Sequence, residues 1–151
     1  MPVELTPSGS RGLAIRMGPR WLRPLIYGVG DLFFRISGRK TLRLITTGAK
    51  SGREHEVPLL WFADGPDAWL VVASAGGSAK HPAWYYNMAR NPDKIWAQLP
   101  GRGRMRVNAE SLTGVAREAA WQKVVNSWAG YNSYATKTDR EIPVVRLSPA
   151  A

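Results

Sequence analysis

The 151-residue chain contains no cysteine. That excludes disulfides, thiolate metal sites and a cysteine nucleophile. Histidine is nearly as scarce, with only His55 and His81, which argues against a histidine-built metal centre. Acidic residues are few: 11 against 21 basic ones, for a net charge of +10. A binding partner should therefore be anionic: a nucleic acid, an acidic membrane surface or a small polyanionic ligand. The basic residues form no dense run, which argues against a nucleic-acid tail. No apolar stretch is long and uncharged enough to span a bilayer, and no apolar segment with a small-residue cleavage site suggests a secretory signal. No internal repeat is visible. A histidine–carboxylate pairing that would serve as a catalytic dyad is also missing, as expected where a cofactor carries the chemistry.

What is present suits one folded domain. Hydrophobic residues make up 44 % of the chain and seven are tryptophan, enough for a core and against disorder. Residues 1–19, rich at their start in Pro, Ser and Gly, read as a flexible segment, and 20–151 as a single domain. Over 21–36 the residues Trp21, Leu22, Leu25, Ile26, Val29, Leu32, Phe33 and Ile36 recur at helical spacing among arginines. The segment fits either a helix packed on its own domain or a basic amphipathic helix on an anionic membrane. Strands are expected over 41–47, 54–62, 68–74, 94–99, 104–112 and 142–147. A short helix is expected over 82–91, opened by Pro82 and closed by Asn91-Pro92. A longer helix from Thr113 presents Trp121, Val124, Val125 and Trp128 on one face, with Tyr131 and Tyr134 close to it. That aromatic stripe fits core packing or a wall over a ligand. The resulting class is mainly β (α+β), a small antiparallel barrel with helices outside.

The stretch Gly48-Ala49-Lys50-Ser51-Gly52-Arg53 joins the first two strands. Its glycines permit positive φ, so backbone N–H groups can converge on an anion, and Lys50, Ser51 and Arg53 add donors. Taken alone, it also fits an ordinary basic hairpin turn. It is not a Walker A loop, because Ala49 precedes the lysine and the following Pro58-containing run reads as a strand. A second glycine pair, Gly76-Gly77, follows the third strand and precedes Lys80 and the helix start at Pro82, where the helix dipole favours negative charge. His81 reads as a cap or an exposed residue.

Five strings occur in order: Leu44-Ile45-Thr46-Thr47-Gly48-Ala49-Lys50-Ser51-Gly52, Val57-Pro58-Leu59, Val72-Ala73-Ser74-Ala75-Gly76-Gly77, Lys80-His81-Pro82-Ala83-Trp84-Tyr85-Tyr86-Asn87 and Thr138-Asp139-Arg140-Glu141-Ile142-Pro143-Val144. Together they resemble the deazaflavin-dependent nitroreductase family of actinobacteria, from about residue 20 to the C-terminus. The resemblance implies a split β-barrel with flanking helices and an N-terminal amphipathic helix. It implies coenzyme F420, an 8-hydroxy-5-deazaflavin whose phosphate and glutamate tail match the surplus positive charge. Lys50, Ser51 and Gly52 would meet the phosphate, with Arg53 nearby. Val57, Pro58 and Leu59 would back the ring. Ala73, Ser74, Ala75 and Gly76 would line its edge through N–H groups, and Lys80 would meet the anionic part. Ala83, Trp84, Tyr85 and Asn87 would complete the pocket. Tyr131 and Tyr134, with Trp128, would lie over ring and substrate.

Two positions depart from the family pattern. Ala49 stands where arginine is frequent, and Trp128 where a tyrosine occurs in nitroimidazole-reducing members. The activity implied is hydride transfer from reduced F420 to an electron-poor conjugated acceptor, an enone, a quinone or a nitro compound. Tyr134 or Tyr131 would act on the acceptor carbonyl. The alternatives are an FMN-dependent enzyme of the same fold or a non-catalytic F420 carrier. Nucleic acid is not expected as a partner. The expected location is cytoplasmic, with peripheral contact between residues 20–40 and the cytoplasmic membrane face.

Overall fold

The structure is a computed structural model that describes residues 3–12, 20–22, 25, 40–74, 80–128 and 130–150. Seven strands form one antiparallel sheet: β1 (Thr41–Thr47), β2 (Glu54–Leu60), β3 (Phe62–Ala63), β4 (Trp69–Val72), β5 (Ile95–Gln98), β6 (Arg104–Ser111) and β7 (Val144–Pro149). Their spatial order is β2-β1-β5-β6-β7-β4-β3. The two ends of that order are consecutive in the chain, separated by Trp61 alone. A flat sheet cannot bring its two edges within one residue of each other. The sheet therefore curls into a barrel, and β2 meets β4 across a seam that no β-ladder bridges. Strand β6 makes the bend: Arg104 to Arg106 pair with β5, and Val107 to Ser111 pair with β7. This is the split-barrel α+β architecture expected from the sequence.

Period-two patterning sets what each strand buries. In β6, Val107 and Ala109 are buried while Arg104, Arg106 and Asn108 are exposed. Strand β4 is buried on both faces. Its Trp69 and Val71 join Leu42, Leu44, Ala97, Val107 and Leu147 in the barrel interior. Its Leu70 and Val72 point the other way, against Leu112, Trp121, Val124 and Tyr131 in an outer cluster. A strand buried on both faces needs cover outside, and helices supply it.

The short helix is α1 (Ala83–Arg90), with Pro82 as N-cap and Asn91 as C-cap. The aromatic stripe that reads as one helix is two: α2 (Gly114–Ser127) and α3 (Gly130–Lys137). The break falls at Trp128, whose extended backbone ends α2 while its N–H still bonds to Val124 O. Of the helix expected over 21–36, only the turn Arg20–Leu22 and Leu25 are described, and Trp21 and Leu25 are exposed. The rest lies outside the described residues.

Residues 3–12 lie against the barrel. Val3 is buried in its core. Glu4 N–H donates to Ser111 Oγ at 3.2 Å, and Tyr85 OH donates to Glu4 O at 2.6 Å. The N–H groups of Ser10 and Arg11 each donate to the Asp139 carboxylate at 2.9 Å. Thr138 OH donates to Arg11 O at 2.8 Å.

Candidate functional site

The Gly48-to-Arg53 turn closes the β1–β2 hairpin. Gly48 N–H donates to Arg53 O at 2.7 Å, and Gly52 N–H donates to Gly48 O at 3.0 Å. The two glycines differ. Gly52 adopts φ +69°, a conformation other residues rarely take. Gly48 does not take up positive φ, and a Cβ there would meet, at 2.5 and 2.9 Å, only the movable ends of the exposed Ser51 and His55 side chains. Only Gly52 of the pair therefore uses the positive-φ freedom expected of both.

Most of the turn's backbone donors are already engaged. Arg53 N–H donates to Ser51 Oγ at 3.2 Å, and Ala49 N–H to Asn87 Oδ1 at 3.0 Å. The Lys50 and Ser51 amides have no partner among the described residues. Those two amides, with the exposed side chains of Lys50, Ser51 and Arg53, form a compact outward-facing donor set. Lys50 and Arg53 make no ion pair among the described residues. The chemistry of this set fits a phosphate: two open amides, a hydroxyl, two full positive charges and no carboxylate within the turn.

Helix α1 holds the turn in place. Asn87 is buried, and its amide nitrogen donates to Thr46 Oγ1 at 3.2 Å while its oxygen receives Ala49 N–H. Asn91 Nδ2 donates to Thr47 O at 3.1 Å. Asn87 is thus spent on bracing the turn. Trp84 and Tyr85 are also buried and belong to the barrel core, with the Tyr85 hydroxyl spent on Glu4 O. The exposed residues of this helix are Ala83 at its start, near the exposed Lys80, and Arg90 at its end.

Strand β2 leads away from the turn. It carries Val57, Pro58 and Leu59, all half-buried. Pro58 is tolerated because β2 lies at the end of the strand order and need not donate across the seam. The antiparallel register of β3 with β4 pairs Phe62 with Leu70 and Ala63 with Trp69. Ala73 and Ser74 are buried. Ala73 N–H donates to Pro143 O at 3.0 Å, so that amide is not an open donor. Ala75 and Gly76 lie outside the described residues.

Seven residues of β2 span about 20 Å at roughly 3.4 Å per residue. At the far end Leu60 and Phe62 meet the aromatic group. The Tyr131 ring lies 4.8 Å from Trp128, 5.7 Å from Tyr134 and 5.7 Å from Phe62, each edge to face. Tyr131 is buried and Tyr134 half-buried. Tyr134 is the more accessible residue of the two, with Lys137 Nζ 5.6 Å from its ring centroid. Tyr131 sits in the outer cluster, and Trp128 and Tyr134 pack against it half-buried.

A feature invisible in the sequence lies behind β4. Arg140 is buried, and its guanidinium donates to Ala73 O at 3.1 Å, to Ser74 O at 2.7 Å and to His81 Nδ1 at 3.0 Å. His81, expected to cap or to be exposed, is buried, and its Nε2 lies 2.9 Å from Thr6 O. A ring that accepts at Nδ1 and donates at Nε2 is the neutral Nε2–H tautomer. Burial, and then the Arg140 charge, hold His81 below the ordinary histidine range. The string that contains Arg140 is recognisable in the sequence, but nothing in it signals a return to the end of β4.

No group of three or more His, Asp and Glu that could hold a metal occurs among the described residues, and no described helix is long and apolar enough to cross a membrane. Comparison with known proteins accords with the geometry. The sequence pattern of F420H(2)-dependent quinone reductases matches residues 27–149. An F420H(2)-dependent quinone reductase of Mycobacterium tuberculosis is 38 % identical over 123 residues, covering 79 % of this chain and 80 % of the relative. The solved structure of the F420-H2 dependent reductase FDR-A superposes with a TM-score of 0.64 at 39 % identity, over 73 % of this chain and 95 % of that one. A FAD-binding protein of Mesorhizobium loti, 14 % identical with a TM-score of 0.51 over 82 % of this chain and 88 % of that one, shares the fold alone. The chain belongs to the F420H(2)-dependent quinone reductase family, an oxidoreductase family whose cofactor is coenzyme F420.

Proposed function

We propose that this chain binds F420 with its phosphate in the Gly48-to-Arg53 turn and its ring along β2, and reduces conjugated acceptors: quinones, and also enones and nitro compounds. The observation that carries this reading is the donor set at Lys50, Ser51 and Arg53. It is exposed and braced by Asn87, with the Ser51 hydroxyl shared with Arg53 N–H and His55 Nε2, at one end of a strand whose other end reaches Tyr131 and Tyr134. Charge-assisted hydrogen bonds to a phosphate contribute on the order of 1.5–3 kcal/mol each. Three of them with ring burial reach the roughly 8 kcal/mol of micromolar binding.

Reduced F420, when bound, supplies a hydride at C5. The remaining work belongs to the protein. Val57, Pro58 and Leu59 offer a half-buried apolar edge for one ring face. Lys80, exposed before α1, faces the anionic part of the coenzyme, and Ala83 leaves room beside it. Trp84 and Tyr85 support this wall from the core, and Asn87 positions the phosphate turn. Trp128 and Tyr134 border the acceptor, and Tyr134 donates a hydrogen bond to its carbonyl oxygen as negative charge develops there. Tyr131, buried behind them, fixes the Tyr134 ring edge to face. A proton from Tyr134 or from water completes reduction of the acceptor oxygen. Exposed Trp21 and Leu25 support peripheral contact with an anionic membrane, where lipid-soluble quinones reside.

Titration with F420 and with FMN, followed by tryptophan fluorescence, tests the reading. F420 should quench at micromolar concentration and FMN should not. Turnover of F420H2 with a soluble naphthoquinone, an enone and a nitroarene then ranks the acceptors. Failure of F420 to quench would sink the site assignment.

A further inference from the structure

Arg140 stands 66 residues from Ser74 in the chain and holds its carbonyl at 2.7 Å and that of Ala73 at 3.1 Å. The same Nη1 also donates to His81 Nδ1 at 3.0 Å. His81 is in turn bonded to Thr6 O at 2.9 Å, and its ring packs on Tyr85 at 4.9 Å and Tyr86 at 5.8 Å. Ser74 and His81 flank one connection, so a single guanidinium ties its exit from β4 to its entry into α1. Burying a guanidinium is costly. Loss of its hydrogen-bonded setting would leave two buried carbonyls unsatisfied. The energy placed here fixes backbone at the end of β4, the strand that β2 meets across the seam.

We propose that Arg140, oriented by His81, is a positioning residue for coenzyme binding: it sets the direction of the Ala73 and Ser74 peptides at the seam without touching the coenzyme itself. The proposal rests on the reading that the deazaflavin ring lies along β2. With the Ala73 carbonyl turned toward Arg140, the opposite edge of that trans peptide, the Ser74 N–H, is directed away from it. An arginine is needed because its planar fork reaches two carbonyls and a ring nitrogen at once, whereas a lysine ammonium meets them as a point charge.

Three proteins test this: wild type, Arg140→Met and Arg140→Lys. Each is measured for F420 affinity by fluorescence, for quinone KM and kcat, and for amide hydrogen exchange without coenzyme. In Arg140→Met, F420 affinity should fall at least tenfold while quinone KM changes less than threefold, and amides near Ser74 and His81 should exchange faster in the coenzyme-free protein. Arg140→Lys should recover part of the affinity. His81→Asn, which keeps a side-chain acceptor, should lie between wild type and Arg140→Met. A folded Arg140→Met protein that binds F420 within twofold of wild type, or exchanges at unchanged rates, overturns the proposal. If Arg140→Met does not fold, Arg140→Lys and His81→Asn decide by the same two readouts. If the wild type itself does not bind F420, the site assignment fails first and the proposal falls with it.

Discussion

At the scale of single residues, engagement separates roles that residue type alone leaves equal. Lys50 and Tyr85 both carry polar ends. The Lys50 ammonium faces solvent beside two unengaged amides, whereas the Tyr85 hydroxyl is spent on Glu4 O. Lys50→Ala should therefore weaken F420 binding by about tenfold, near 1.4 kcal/mol, and the effect should shrink at high salt because the site is exposed. Isothermal titration at two ionic strengths checks both. Tyr134→Phe should lower quinone turnover by roughly tenfold or more, since one hydrogen bond to developing charge is lost. F420 affinity should stay within twofold. Unchanged kcat would remove Tyr134 from the chemistry.

His81 supplies a pH signature. Its folded-state pKa is depressed, chiefly by burial and then by the Arg140 charge, while the Thr6 carbonyl opposes the shift and the Tyr85 and Tyr86 rings pack beside it. In the unfolded chain it takes up a proton near 6.5, where the folded protein resists doing so. Stability should hold above that pH and fall as pH drops through 6.5 toward the folded value. Denaturant midpoints at pH 8, 6.5 and 5 for wild type and His81→Asn should show a smaller decline for the variant.

At the scale of elements, the helix–turn contact is what makes a glycine turn into a defined donor set. Asn87 binds both Thr46 and Ala49 from α1, and Asn91 adds Thr47. Asn87→Leu keeps the volume but leaves Ala49 N–H and Thr46 without their partner. A cost of about 1–3 kcal/mol is expected from the lost buried hydrogen bonds. Coenzyme affinity should fall as well, although Asn87 faces away from solvent. A thermal melt paired with an F420 titration measures the two together; a drop in melting temperature with unchanged affinity would mean that the turn holds its shape alone.

The division of the aromatic stripe into α2 and α3 belongs to this scale too. Helical spacing through Trp121, Val124 and Trp128 runs on toward Tyr131, and nothing in that period marks a break. Gly130 is the local hint. The decision came from packing: Trp128 and Tyr131 stack edge to face, and Phe62 of β3 fills the other side of Tyr131.

At the scale of the whole molecule, the barrel closes by bringing β2 onto β4, and residues 3–12 cross to the far end of the chain. Asp139 anchors that crossing. The Ser10 hydroxyl and the N–H groups of Arg11 and Ser10 hold its carboxyl well below the usual carboxylate range. On the outer face, Lys123 and then Arg146 do the same for Asp64. A depressed carboxylate stabilises above its unfolded pKa, and that stability is lost as pH falls through it toward the folded value. Acid unfolding should therefore steepen below about pH 4. Asp139→Asn should remove part of that steepening and release residues 3–12, visible as faster amide exchange there; equal exchange would assign the segment's order to Val3 and Tyr85 instead.

Most of the strand set, the glycine turn, the anionic character of the ligand and the absence of thiol chemistry follow from the amino-acid sequence by itself. All depend on composition or on spacings of a few residues, where backbone periodicity and side-chain chemistry act directly. The tertiary structure alone decided that Gly48 does not use positive φ, that Asn87 is a brace, that His81 is buried, and that Arg140 grips Ala73 and Ser74. The contacts of Asn87, His81 and Arg140 join residues 38 to 75 positions apart, and the links from Asp139 to Ser10 span 129. They exist because the sheet closes on itself, and closure is a property of all seven strands together that no local pattern encodes.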